Sequence, residues 1–136
     1  MTNSSVPECR FVVKSRAFSR GASPSSKRRY KRRIRESAQK VLPPTPTREP
    51  VMLSVYYFHW GRERIDGDNV LGPICDALKG LAYEDDSQVV RHEITLINMN
   101  LSYRLADPPE ELHDYLEGPD EGIVVMLNPV QPIRRR

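Results

Sequence analysis

The apolar positions of this chain change period several times. In VMLSVYYFHW, Val51–Trp60, they alternate and fill both faces. Leu53, Val55, Tyr57 and His59 fall on one face, and Met52, Tyr56, Phe58 and Trp60 on the other. β-Branched and aromatic residues in that pattern predict a central strand covered on both sides. Phe11–Val13 predicts a short strand, and HEITLINMN (residues 92–100) and GIVVMLNP (residues 122–129) predict two more. KRRYKRRIRESAQKVL (residues 27–42) has helical spacing, with Tyr30, Ile34, Ala38 and Val41 or Leu42 on one stripe. Ser25 or Ser26 is its expected cap. Pro43 and Pro44 stop it, because they lack the N–H and clash with the preceding turn. A second helix is predicted after Asp68, with Asn69 as cap, Pro73 in the first turn and Gly80 near the end. Its buried stripe is Val70, Ile74, Ala77 or Leu78, and Leu81. PPEELHDYLEG predicts a short third helix from Pro108 or Pro109 to a stop at Gly118. The order βαβαβ(α)β predicts an α+β fold, a small mixed β-sheet packed against helices.

With 136 residues the chain fits one domain, against roughly 100–200 residues per domain. Residues 1–9 are expected to be a flexible N-terminus, residues 10–130 the folded unit, and residues 131–136 a basic C-terminal tail. No apolar run approaches the roughly 20 residues needed to span a bilayer. The start MTNSSVPECR lacks the basic and apolar regions of a secretory signal. Cys9 and Cys75 match no metal-ligand spacing, and Cys75 is expected in the core. His59, His92 and His113 show no ligand spacing either and are read as structural or exposed. A cytoplasmic, reducing setting is the expectation.

Charge changes the picture. Residues 1–50 hold 13 Lys/Arg and 3 Asp/Glu, whereas residues 51–130 hold 5 and 15. The first helix carries Lys27, Arg28, Arg29, Lys31, Arg32, Arg33 and Arg35 off its apolar stripe. One side can dock on a sheet while the other meets phosphates, an electrostatic footprint for a polyanion.

The acidic half centres on DGDNVLGPICDAL, residues 66–78, and on Glu84, Asp85 and Asp86 beyond it. Asp66 and Asp68 share a side if the segment is extended. The second helix returns the chain, so that Asp85 or Asp86 can approach them. Converging carboxylates repel, and a cation offsets that cost. Mg²⁺ takes hard oxygen ligands, and such a site can clamp a phosphodiester and activate water. A solvated loop and a helix cap are the plainer readings of the same residues.

DGDNVLGPICDALKGLAYEDDSQVV, residues 66–90, closely resembles the core motif of the RusA family of Holliday junction resolvases. Asp66, Asp68, Asn69, Pro73, Asp76, Ala77, Leu78, Gly80, Tyr83, Asp85, Asp86, Gln88 and Val89 fall on that motif. The upstream layout is similar in outline, so the resemblance covers most of residues 10–100. It implies a RusA-like α+β homodimer that nicks four-way junction DNA with Mg²⁺ or Mn²⁺ in recombination and repair. It implies a nucleoid-associated enzyme with no membrane and no organic cofactor. By position, Asp66, Asp68 and Asp86 are the implied catalytic and metal-binding carboxylates, with Asp85 the competitor for the third place and Asp76 in support. The basic helix is the implied DNA-binding element. One departure matters: the family's motif lysine is Gly72 here. Arg62, Arg64 and Lys79 are the candidate substitute cations. Removing a transition-state charge partner commonly costs about a hundredfold or more in rate. A weakened or inactive junction-binding protein is therefore the alternative expectation.

Overall fold

The computed structural model describes residues 8–14, 23–61, 67–100, 110–112 and 121–130. In chain order these form β1 (Cys9–Val13), α1 (Pro24–Gln39), β2 (Val51–His59), α2 (Gly67–Leu78), β3 (Val89–Asn98) and β4 (Gly122–Pro129). Short 3-10 turns occupy Asp86–Gln88 and Glu110–Leu112. The four strands make one mixed sheet in the order β1-β4-β2-β3. β4 runs antiparallel to β1 and to β2, and β2 runs parallel to β3. A parallel pair cannot be closed by a hairpin and needs a crossover. α2 is that crossover, so it starts near the end of β2 and returns toward the start of β3. The fold is the expected α+β arrangement.

Strand register decides what each face buries. Phe11, Val125, Val55 and Ile94 form one row across the sheet. That row lies under both helices, in a core with Tyr30, Ile34 and Ala38 of α1 and Val70, Ile74 and Leu78 of α2. Phe58, Ile97, Val124 and Met126 lie on the opposite face and make a smaller core with Leu112. β2 is thus apolar on both sides because both sides are covered. Each such side chain contributes roughly 1.5–3 kcal/mol on burial.

The helix ends depart from the spacing-based expectation. α1 is capped by Ser23, whose Oγ accepts the Ser26 N–H at 3.2 Å, so the expected caps Ser25 and Ser26 are already helical. Pro24 explains the shift, since its fixed φ suits the first helical position. The stripe continues into Leu42, which packs on the core, while Val41 is exposed. α2 begins at Gly67, so Asn69 is its third residue rather than its cap. Pro73 accordingly lies inside the helix and not in its first turn. An interior proline costs ~3 kcal/mol. The five buried residues Val70, Leu71, Ile74, Ala77 and Leu78 outweigh that cost. The third predicted helix falls mostly outside the described residues, apart from Glu110–Leu112.

Candidate functional site

The sequence after α2 folds into a tightly specified corner. Leu78 ends the helix, and Gly80 turns the chain at φ +81°, donating its N–H to the Tyr83 carbonyl at 2.7 Å. Positive φ is accessible to glycine at little cost. Tyr83 is fully buried, and its hydroxyl donates to the Cys75 carbonyl at 2.8 Å. Burial pushes the Tyr83 phenol and the Cys75 thiol upward, so both stay protonated at neutral pH. Cys75 packs against the core while remaining half-buried.

Asp85 caps the 3-10 turn that follows. Its Oδ2 accepts the Ser87 N–H at 3.1 Å and the Ser87 hydroxyl at 2.5 Å. Its Oδ1 lies 3.6 Å from Lys79 Nζ. The Ser87 hydrogen bonds, with the nearby Lys79 charge, hold the Asp85 carboxyl below the ordinary range. Gln88 closes a capping box: its Oε1 accepts the N–H groups of Glu84 and Asp85 at 2.9 and 3.0 Å. Its Nε2 donates to the carbonyls of Thr47 and Glu49 at 2.8 and 3.1 Å, tying the corner to the segment before β2. The Asp-x-x-Gln spacing is a local signal that pattern reading could have caught. Asp85 and Gln88 thus serve the backbone. Asp86 is exposed; its carbonyl accepts the Val89 N–H, and its carboxylate makes no hydrogen bond or ion pair with the described residues.

Asp68 is exposed in the first turn of α2. A carboxylate there is favoured by the helix dipole. Asp86 lies beside the other half of the helix, close enough for its charge to act on Cys75 and Tyr83. The rise from Asp68 to Cys75 is on the order of 10 Å, at about 1.5 Å per residue. Asp66, Arg62 and Arg64 lie outside the described residues. Among the described residues, no three His, Cys, Asp or Glu side chains are grouped closely enough to hold a metal ion. The donor chemistry of Asp68 and Asp86 suits a hard cation, but the described part of one chain does not assemble the set.

Gly72 sits one turn beyond Asp68 on the same helix face. It is exposed, and a Cβ built on it meets nothing within 4 Å. Lys79 follows the far end of α2, about 16 Å of helical rise from Asp68. There it pairs with Asp85.

Apart from Lys27, which is exposed in the first turn, the basic residues of α1 divide into two groups. Arg35 donates Nη1–H to the Ala77 carbonyl at 3.1 Å, meeting one of the orphan carbonyls at the end of α2. Lys31 pairs with Asp76 at 3.4 Å. These two pin α1 to α2. Arg28, Arg29, Arg32 and Arg33 point to solvent. A shallow groove of about 410 Å³ on α1 is lined by Arg28, Lys31, Arg32, Arg35, Glu36 and Gln39. The sequence pattern places Lys31 and Arg35 among the phosphate ligands and carries no sign of their contacts with α2.

The sequence that builds this corner, the basic helix and the β2–α2–β3 crossover matches a known family. The family model for endodeoxyribonuclease RusA matches residues 5–104. No individually curated protein matches the chain. The matched stretch contains β1, α1, β2, α2 and β3, the basic groove and both acidic groups. The chain belongs to the RusA endodeoxyribonuclease family, the Holliday junction resolvases.

Proposed function

We propose that this chain binds four-way DNA junctions through α1 and cuts them by phosphodiester hydrolysis at Asp66 and Asp68, with Asp86 as the third carboxylate. The carrying observation is that the basic helix and the helix bearing Asp68 pack in one core and touch through polar contacts. Lys31–Asp76 and Arg35–Ala77 join the cationic groove of α1 to the helix that presents Asp68. Arg28, Arg29, Arg32 and Arg33 neutralise backbone phosphates and release counterions. Their positions on α1 orient the bound strand relative to α2. Asp86 is favoured over Asp85 because the latter is committed to Ser87 and Lys79. Mg²⁺ or Mn²⁺ is the cation we assign to the reaction, on the oxygen chemistry of these side chains. We assign a homodimer as the working form, because a two-fold axis matches that of a junction with paired symmetric nicks.

The test uses the full chain and a labelled synthetic four-way junction, with Mg²⁺ or Mn²⁺, reading binding and cutting in parallel. Paired nicks are the expected result. Asp68→Asn is expected to abolish cutting and keep binding; equal loss of both refutes the assignment. A second reading is favoured by Gly72, which leaves open surface where the family has a cation. On that reading the chain grips junctions selectively and leaves them intact.

A further inference from the structure

His59 ends β2, the strand from which the chain departs toward Asp66 and Asp68. Three consecutive residues are pinned there by three different partners. The His59 carbonyl accepts the Met99 N–H at 2.7 Å, tying the end of β2 to the residue after β3. The Trp60 N–H donates to Glu121 Oε1 at 3.2 Å, just before β4. The Gly61 N–H donates to His59 Nδ1 at 3.0 Å. Gly61 has φ +74°, and a Cβ there would collide with the side-chain amide of Asn98. Only glycine fits.

The imidazole is only 9% exposed and is tilted against Tyr57, with ring centroids 5.5 Å apart. An Nδ1 that accepts a backbone N–H carries no proton, so the neutral ring is the Nε2–H tautomer. Protonating Nδ1 would set two donors against each other and break the contact with Gly61. Among the described residues, the titratable groups facing the ring are Glu121 and Tyr57. Asn98 and Met99, which meet the turn from the β3 side, carry no charge.

We propose that His59 is a positioning residue: its unprotonated Nδ1 holds Gly61 and so fixes the turn with which β2 ends, in the chain that continues in sequence to the carboxylates. Its influence on cutting rests on the nuclease reading above; its grip on Gly61 does not. The grip weakens in acid. Burial holds the His59 pKa below the ordinary histidine range, and the Glu121 charge opposes that shift. The lowered pKa favours the neutral ring in the fold. That stabilisation is complete above the unfolded pKa of about 6.5 and falls away as pH drops toward the folded value.

Trp60 is the sole tryptophan of the chain and neighbours both His59 and Gly61, so its fluorescence reports the turn. The experiment titrates Trp60 emission of the full chain from about pH 8 to about pH 5, the window in which histidine changes charge. The wild type is expected to show one transition, with its midpoint below about 6.5. His59→Asn keeps an acceptor for the N–H two residues on, as Asx turns do, and does not titrate. It is expected to match wild-type emission at neutral pH and to lack the transition. His59→Phe removes the acceptor and is expected to show the acid-like spectrum at every pH. Glu121→Gln keeps the Trp60 acceptor, removes the charge, and is expected to move the midpoint lower. His92→Gln should leave the transition in place. A transition that survives in His59→Asn overturns the proposal, and so does wild-type emission from a folded His59→Phe at neutral pH. In the junction assay, cutting by the wild type should fall through the same transition, and His59→Asn should hold its rate across it. His59→Phe should lose about 10- to 100-fold at neutral pH, the scale of a misplaced catalytic group. If no variant cuts at any pH, the nuclease reading fails, while the fluorescence still decides the role of His59.

Discussion

Replacing Gly72 by lysine tests whether the missing motif charge limits the rate at which this chain cuts junctions. The position is open, since a Cβ there meets nothing within 4 Å. It lies one turn from Asp68 on the same face, and both residues are exposed. Two local terms act on stability. Leaving glycine gains up to about 1 kcal/mol of helix propensity. Gly72 also precedes Pro73, and a Cβ before proline crowds its ring in the α conformation, which opposes that gain. An ion pair between Asp68 and the introduced lysine adds about 0.2–0.5 kcal/mol. The sum is near zero, so Tm should move by no more than about 2–4 °C, the shift that 1 kcal/mol makes in a chain near this size. The effect on chemistry should be far larger. A lysine one turn from Asp68 reaches a phosphate held at that carboxylate, and supplying such a charge is worth about 10²-fold or more in rate. The assay compares single-turnover junction cutting by wild type, Gly72→Lys and Gly72→Ala, each checked by thermal melting. Gly72→Ala should match wild type in both readouts. A folded Gly72→Lys that cuts no faster would refute the view that the open face at residue 72 lacks the catalytic cation. A large drop in Tm would instead refute the open placement of that residue.

Further outcomes follow from the same geometry. Arg32→Ala should weaken junction binding and reduce the slope of log affinity against log salt by about 0.9, the loss of one phosphate contact. Arg35→Ala should leave that slope nearly unchanged and destabilise the fold by about 1.5–3 kcal/mol, because it leaves the Ala77 carbonyl without its charged donor; an equal slope change in both variants would refute the division of α1. Because Asp85 has a lowered folded pKa, its contribution to stability is present above the unfolded carboxylate value and is lost as pH falls through the folded one. Asp85→Asn keeps the cap and cannot titrate, so acid melting curves should flatten; an unchanged acid limb would count against Asp85 as the cap. Tyr83→Phe should cost about 1 kcal/mol, the worth of its hydrogen bond to Cys75, read as a lower denaturation midpoint with unchanged m-value.

Local periodicity determined much of this protein. Alternation in residues 51–59 announces β2, and residues on both of its faces are buried because sheet neighbours and covering layers lie on both sides. The stripe Tyr30, Ile34 and Ala38 marks the buried face of α1, and the motif around Asp66 to Val89 carries the family. These features are legible because side-chain direction follows chain position within one element. The start of α1 was legible only through Pro24, whose fixed φ suits the first helical position and so selects Ser23 among several nearby serines. Contacts across elements were hidden. Nothing local distinguishes Arg35, bound to Ala77, from Arg32 in the open; for Asp85 and Asp86 the one local sign is the Asp-x-x-Gln spacing, and the Lys79 contact of Asp85 has none. His59 looked like one more strand residue until the turn at Gly61 brought an N–H to its Nδ1. A residue's type and spacing set what it can donate, accept or bury. Which partner it meets is decided by the packing of helices and strands far apart in the chain, and that exists only in the tertiary structure.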